Sequence, residues 1–327
     1  MQGDRNVLGF YDERVLAHRP EAQEPFLPGR MDNRVRGILQ GLGLQAKWSY
    51  PEHPGRVTAV NDLLQTEPVP GVTLLAGPQA TEHQLARVHT LSYLESIYEL
   101  RGKQAWLDVD TTAVSAGRVE AAEVAPGSAV AAAHTQSRWD VERVLIIDWD
   151  AHHGNGTQDI FAADPSVIFF DTHRAEPFYP GTGNLEEVGE GLGEGTIVNV
   201  PLPEETGDRA LLTAYEYSLG PPVESIKPEL ILVSAGMDAH RTELCLNLSY
   251  DGFSAMVGVV QRLADTYRDG HLAMVTEGGN DQSTLAAATM RVLEVMAGGQ
   301  PAVVRDPGMA EVAEITSFHQ STFAATV

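Results

Sequence analysis

The chain has 327 residues, 43% of them hydrophobic, which is enough to bury a large core in one α/β domain or two smaller ones. Its 45 acidic and 22 basic residues give a formal net charge of -23 and disfavour a nucleic-acid partner, because phosphate contacts need clustered Lys and Arg. No stretch approaches the roughly 20 apolar residues of a membrane span, and no signal-like run follows the N-terminus. We therefore expect no membrane partner and a cytoplasmic location. Cys245 is the only cysteine, so any metal must be held by Asp, Glu and His.

The first third of the chain predicts loops and packing helices. Prolines interrupt residues 1–56, where only Val35 to Leu44 suggests a short helix. Apolar residues then recur at helical spacing from Val57 to Leu64 and from Glu82 to Leu100. An alanine-rich helix follows from Gly117 to His134, and Pro126 is expected to kink or divide it.

The rest of the chain alternates short apolar runs with helical segments. The runs predict strands buried on both faces, at Val144–Ile147, Val167–Phe170, Leu230–Val233 and Leu272–Val275. The intervening helices are predicted at Ala210–Leu219, Gly252–Tyr267 and Ser283–Ala297. This alternation is typical of an α/β fold with a mostly parallel sheet flanked by helices. Because there is no linker or internal repeat, we expect a single domain over residues 1–327.

The strongest chemical signal follows the Val144 strand. Side chains alternate along an extended chain, so Asp148, Asp150 and His152 should point to one side, at the strand end where open α/β sheets bind ligands. Two carboxylates and an imidazole beside a buried strand would cost several kcal/mol without a cation. The motif therefore predicts a metal site.

Two further strand ends point to the same region. Asp238 lies just past the Leu230 strand and is the natural third ligand beside Asp150 and His152. Gly278 and Gly279 follow the Leu272 strand and would let the backbone approach a ligand closely. Two carboxylates and one neutral imidazole leave a coordination position open, which distinguishes catalytic from structural zinc sites.

These motifs together resemble the histone deacetylase superfamily. The branch is that of the class II-like bacterial histone deacetylase-like amidohydrolases, which are related to acetylpolyamine amidohydrolases. The resemblance is carried by the run Asp148–Gln158, by Phe178-Tyr-Pro-Gly-Thr-Gly183, by Ser234-Ala-Gly-Met-Asp238 and by Glu277-Gly-Gly. It implies a three-layer arginase-like fold and one Zn²⁺ per chain, held by Asp150, His152 and Asp238. A structural monovalent cation in addition to zinc is a further possibility.

The resemblance also implies a reaction and roles for individual residues. The reaction is hydrolysis of an N-acetyl amide on a lysine-like or polyamine amine, so the expected partner is a small molecule or an acetylated peptide. Asp148 matches the family's buried orienting carboxylate, and Phe178 and Tyr179 match the aromatic lip around the substrate's alkyl chain. Gly278 and Gly279 would form part of the wall of the substrate site.

Two departures from the family pattern concern catalysis. Nothing like the family's Arg-Pro-Pro-Gly-His-His segment occurs upstream of Asp148, so the tandem histidines, one strand of the sheet and one wall of the tunnel are missing. Asn280 stands where strongly active relatives have an oxyanion-binding Tyr. His153 remains a candidate catalytic residue, although on an extended chain it would face away from His152. We expect a more open pocket. Three outcomes stay open at the gap: the flanking strands close up, a neighbouring subunit of a homo-oligomer covers the opening, or the protein is poorly stable.

Two other interpretations compete with a deacetylase. The chain could be a catalytically impaired relative that retains zinc. It could also be a two-manganese ureohydrolase of similar fold, which would need additional carboxylates where this chain has Gly154 and Gly236. One metal is therefore favoured over two.

Overall fold

The computed structural model describes residues 5–18, 54–106, 113–136, 141–243, 245–267, 271–304 and 312–323. The fold forms two compact units. The first comprises Met1–Tyr11, Ala59–Ala76 and Ser128–Val327, and the second comprises Asp12–Thr58 and Gly77–Gly127. The expectation of a single domain over the whole chain stays a prediction. The predicted helix at Val35–Leu44 lies outside the described residues.

The first unit is built on a parallel sheet of five strands. They are β5 (Val144–Asp148), β6 (Val167–Arg174), β7 (Ile197–Leu202), β8 (Leu230–Ala235) and β9 (Leu272–Thr276). Their order is β7-β6-β5-β8-β9, with every neighbouring pair parallel. Asp148 lies in register with Asp171 on β6 and with Ser234 on β8. The carboxyl ends of the central strands are therefore aligned at one edge of the sheet.

Helices accompany this sheet as the alternating pattern predicted, which confirms the α/β class. They are α5 (Asn155–Phe161), α6 (Asp208–Ser218), α7 (Gly220–Ile226), α8 (Tyr250–Tyr267), α9 (Gln282–Met296) and α10 (Ala313–Phe323). The core between helices and sheet contains large aromatic side chains. Trp149 lies 6.5 Å from Phe253, and Phe170 meets Tyr215 edge to face at 5.0 Å between ring centroids. Such pairs add specific geometry to the burial of apolar area.

The N-terminal strand was not predicted. β1 (Val7–Tyr11) pairs in parallel with β2 (Val72–Ala76), and both belong to the first unit as a separate two-stranded sheet. Leu8 and Leu75 of this pair are 47% and 41% exposed. Both strands have five residues, as β5 and β9 do, but none of their residues is fully buried.

The predicted helix from Glu82 to Leu100 is two helices. In the second unit, α2 (Glu82–Leu85) begins with a capping box at Thr81, and α3 (Leu91–Tyr98) begins at a second cap, Thr90. The Thr90 side chain accepts the backbone N–H of Tyr93, which a continuous helix would have bonded internally. The other described elements of this unit include the antiparallel pair β3 (Ala105–Trp106) and β4 (Ala113–Val114).

Two further helices span the boundaries between the units. They are α1 (Gly55–Thr66), which contains the predicted Val57–Leu64 segment, and α4 (Arg118–Gln136). The latter continues through Pro126, so the expected division of the helix does not occur. None of the helices in the described ranges is both long and apolar enough to cross a membrane.

The strand β9 ends the five-stranded sheet. Among the described strands it pairs with β8 alone, and Val275 near its carboxyl end is 38% exposed. The expectation that the chain lacks a strand beside the site stays a prediction.

Candidate metal centre

Three strand ends bring polar groups to one place in the first unit. The β5 strand ends at Asp148 and continues into Asp150 and His152, while Asp238 follows β8 and Gly278 follows β9. Because β5, β8 and β9 are parallel neighbours, their carboxyl ends meet at the same edge of the sheet. The order of the strands therefore brings Asp238 and Gly278 next to Asp150 and His152, although they are far apart in the sequence.

Asp150, His152 and Asp238 converge on each other. The imidazole Nδ1 of His152 lies 2.8 Å from Asp150 Oδ1 and 3.0 Å from Asp238 Oδ2. One ligand atom from each of the three residues lies within 4.8 Å of the others. Within the described part of the chain, this is the one such cluster of three metal-ligating side chains. The three residues that the sequence predicted as metal ligands thus lie close together, and their binding of a metal stays a prediction.

The triad is held in place by backbone donors. Asp238 Oδ1 accepts the backbone N–H of Ala151 at 2.8 Å, and Asp150 Oδ1 accepts that of His152 at 2.9 Å. Gly278 donates its N–H to Asp150 Oδ2 at 3.2 Å. These bonds orient the carboxylates and leave the exposed side of His152 as the accessible side of the site, since 33% of its side chain is exposed.

The protonation of the triad is set by its own close contacts. Hydrogen bonds to Asp150 and Asp238 raise the pKa of His152 to about 10. Burial raises the pKa of Asp238, and in Asp150 the hydrogen bonds from His152 outweigh burial and lower the pKa. A proton on His152 thus offsets the negative charge of the two carboxylates. A divalent cation would displace this proton on binding.

The donor set fits a zinc ion. Tetrahedral Zn²⁺ with ligands at roughly 2.0–2.2 Å places neighbouring ligand atoms about 3.4 Å apart. The distances of 2.8 and 3.0 Å from His152 Nδ1 therefore need to widen by only a few tenths of an ångström. Three protein ligands leave one tetrahedral position for water or substrate.

Asp148 lies behind the triad and supports it. Its Oδ1 accepts the backbone N–H of Asp150 at 3.0 Å, and the residue is 4% exposed. Burial raises the pKa of Asp148 well above its usual value, and the neighbouring carboxylate of Asp171 raises it further. A buried carboxylate that holds the backbone of a metal ligand is the arrangement expected of an orienting group.

Two aromatic rings cover the exposed side of His152. The ring of Phe178 stacks on the imidazole, with centroids 4.9 Å apart and an interplanar angle of 23°. Tyr179 meets the imidazole edge-on at 6.2 Å and is itself 77% exposed. Both predicted lip residues thus lie at the entrance to the triad, where they could contact an alkyl chain.

Comparison with known proteins agrees with this geometry. The histone deacetylase domain matches residues 125–296, more than half of the chain. A "Probable deacetylase" of Archaeoglobus fulgidus is 31% identical over 305 residues, covering 79% of this chain and 84% of the relative. The chain belongs to the histone deacetylase family. A "Histone deacetylase-like amidohydrolase" of Pseudomonas aeruginosa is 30% identical over 350 residues, covering 93% of this chain and 89% of the relative.

The fold of the family extends over almost the whole chain. The crystal structure of the HDA15 HD domain superimposes with a TM-score of 0.80, covering 98% of this chain and 96% of that chain at 24% identity. The histone deacetylase fold predicted from the strand-end motifs is confirmed.

The glycine pair and Asn280 follow β9 in this member of the histone deacetylase family. A Cβ built on Gly278 would lie 2.7 Å from Asp238 Oδ2 and still closer to Asp150, so the absence of a side chain there is required by the triad. Gly279 has φ +120°, a conformation that favours glycine. Asn280 is exposed beside them. A catalytic role for Asn280 stays a prediction.

His153 lies in a separate buried network. Its Nδ1 is 2.8 Å from Thr182 Oγ1 and its Nε2 is 3.0 Å from Gln158 Oε1, and its side chain is 1% exposed. Both ring nitrogens are thus occupied by groups other than the triad. This favours a structural role, and the predicted catalytic role of His153 stays without support from a contact.

Asp171 and His173 were not predicted as part of this network. Asp171 is fully buried, accepts the N–H of Gly154 at 2.7 Å and contacts His173 Nδ1 at 3.0 Å. The ring of His173 lies 4.9 Å from that of His153. The available signal was the sequence Asp171-Thr-His173 at the end of a strand, which repeats the spacing of Asp150-Ala-His152.

Proposed function

We propose that the chain is a zinc-dependent amidohydrolase that removes acetyl groups from N-acetylated amines of the acetyl-lysine or acetylpolyamine type. The observation that carries this proposal is the convergence of Asp150, His152 and Asp238 at 2.8–3.0 Å. The printed names of the Archaeoglobus and Pseudomonas relatives, a deacetylase and an amidohydrolase, support the reaction class.

The residues at the site would have different roles in this reaction. Asp150, His152 and Asp238 would hold the ion, and Asp148 would keep the backbone of Asp150 in position. When bound, Zn²⁺ polarises a carbonyl and lowers the pKa of a coordinated water. Phe178 would flank the aliphatic chain of the acylated amine. This assignment requires only groups that already lie at the site.

The chain lacks the residues that the family uses for proton transfer and for oxyanion binding. The tandem histidines of the family are absent from the sequence, and Asn280 replaces the oxyanion-binding Tyr. Loss of a proton-transfer residue typically costs about 10² to 10⁴ in rate, and loss of one oxyanion donor about 10² to 10³. The proposed activity is therefore weak, and a catalytically impaired zinc-binding protein of the same family is the second candidate.

One experiment separates these candidates. The protein is reconstituted with Zn²⁺, and release of acetate from an Nε-acetyl-lysine amide and from an acetylpolyamine is measured, with Asp238→Asn as the inactive control. Turnover that scales with zinc occupancy and is lost in Asp238→Asn supports the hydrolase. Stoichiometric zinc without turnover of either compound supports the impaired relative.

Other expectations remain predictions. A structural monovalent cation is supported by the adjacent buried carboxylates of Asp148 and Asp171, whose repulsion a cation would relieve. A cytoplasmic location, the absence of a nucleic-acid partner and a homo-oligomeric state rest on the sequence alone.

A further inference from the structure

Among the described residues, no backbone group bonds the outer edge of β9. Ile231 donates its N–H to His271 O, and Glu277 donates its N–H to Ala235 O. These two bonds determine which residues of β9 direct their backbone groups towards β8. In a parallel ladder the residues that bond one neighbour alternate with those that face the other side. The N–H and C=O groups of three residues therefore point away from β8, namely those of Leu272, Met274 and Thr276.

This edge is accessible where it approaches the metal centre. Among the described residues β9 has no second strand neighbour, and Val275 and Thr276 are exposed. Two residues beyond Thr276 lies Gly278, which bonds Asp150 through its N–H. An extended chain that paired with β9 would therefore run directly up to the triad. Exposed strand edges are normally covered, charged or paired.

The surroundings of this edge are acidic. Glu277 and Asp281 are exposed just after the strand, and Glu243 accepts the N–H of Asp281 at 2.7 Å. Arg241 is exposed in the same loop as Glu243 and offsets one of these charges. A divalent ion would balance the two carboxylates of the triad but not these three. Together with the net charge of -23, this favours a cationic occupant.

We propose that the free edge of β9 binds an extended, lysine-rich acetylated polypeptide as an additional strand and thereby delivers its acetyl-lysine to the metal centre. The proposal rests on the proposed function and narrows its substrate class, because a polyamine has no backbone amides with which to pair. Strand addition to an exposed edge is an established mode of peptide recognition. A second copy of this chain is the less favoured occupant, since two chains of -23 repel each other.

The first test changes only the peptide. Fluorescence anisotropy measures the affinity of the zinc-loaded protein for an acetylated, lysine-rich nonapeptide and for analogues in which one backbone amide at a time is N-methylated. Pairing with β9 predicts that the effect of N-methylation alternates along the peptide. Methylation of every second amide weakens binding about tenfold, and methylation of the remaining amides has little effect. An affinity that no methylation changes overturns the proposal.

The second test changes the edge. Thr276→Pro removes an outward N–H at a position where an edge strand tolerates proline, and Thr276→Ala retains that N–H. We expect about a tenfold loss of peptide affinity in Thr276→Pro and none in Thr276→Ala, with unchanged zinc content and circular dichroism in both. Equal affinity in the two variants overturns the proposal. So does a dimer that Thr276→Pro dissociates while peptide affinity stays the same.

The failure of this proposal differs from failure of the proposed function. Suppose that the zinc-loaded protein hydrolyses an isolated acetyl-lysine amide and the nonapeptide at equal rates, and that no N-methylation changes the affinity for the peptide. The hydrolase proposal then stands and strand pairing is wrong. If peptide binding shows the alternating effect of N-methylation without acetate release, strand pairing stands and the hydrolase is wrong.

Discussion

Gly278 donates its backbone N–H to Asp150 Oδ2 at 3.2 Å and accepts the N–H of Met237 through its carbonyl at 3.0 Å. It therefore joins the strand end that carries Asp150 to the loop that carries Asp238. This one residue, which supplies no side-chain donor, fixes the relative position of two candidate ligands.

Replacement of Gly278 by alanine should damage the metal centre without removing a ligand. The new Cβ would lie 2.7 Å from Asp238 Oδ2, so the carboxylates must move apart. We expect at least a tenfold loss of zinc affinity in Gly278→Ala, measured by competition with a chromophoric chelator. Gly156→Ala is the matched control, because a Cβ there meets open space in α5. Equal affinities in the two variants would refute this role for Gly278.

Asp148 should act through Asp150 rather than as a ligand. In Asp148→Asn the acceptor for the backbone N–H of Asp150 can remain while the charge is removed. Loss of such a supporting group typically costs about 10- to 100-fold in metal affinity, so we expect zinc to bind that much more weakly at unchanged stoichiometry. Calorimetric titration with Zn²⁺ measures both quantities. Complete loss of binding in a folded variant would instead make Asp148 a ligand.

The oxyanion position can be tested by gain of function. Asn280→Tyr restores the phenol found in strongly active relatives, and Asn280→Phe provides a similar ring without the hydroxyl. If the deficit lies at this position, the kcat for an acetyl-lysine amide should rise by about 10² or more in Asn280→Tyr with little change in KM. A similar kcat in both variants would show that the hydroxyl does not reach the reacting group.

His319 should make the fold sensitive to acid. It lies fully buried in α10, and burial lowers its pKa to about 4. The unfolded chain takes up a proton on this histidine below about pH 6.5, so stability should fall as the pH drops from 6.5 towards 4. Urea unfolding of the parent and of His319→Gln measures this, because subtraction of the two curves isolates His319. Parallel curves would contradict it.

Much of the first unit could be predicted because its strands are continuous apolar runs. β5, β6 and β8 are buried on both faces or nearly so, and β9 is buried at its start, and their sequences are apolar accordingly. β7 was missed because Asn199 and Pro201 interrupt its apolar run, although both lie in the strand. The break between α2 and α3 was missed because the cap at Thr90 starts a new helix within a continuous helical spacing.

The proximity of the three candidate metal ligands could be predicted because a parallel sheet places strand ends side by side. Asp150, His152 and Asp238 needed only the positions of two strands. The contacts of backbone groups and of buried neighbours could not be predicted in this way. The bond from Gly278 to Asp150 and the position of Asp171 behind Gly154 depend on how two loops turn after their strands.

The most direct test of the central claim is a count of zinc ions per chain after reconstitution and dialysis, by mass spectrometry of the metal. The parent and Asp159→Asn, which removes an exposed carboxylate in α5, should each retain one zinc. Asp150→Asn and Asp238→Asn should lose at least 100-fold in affinity and retain almost none. A parent chain that stays free of metal, or a triad variant that binds zinc as tightly as the parent, would contradict the account.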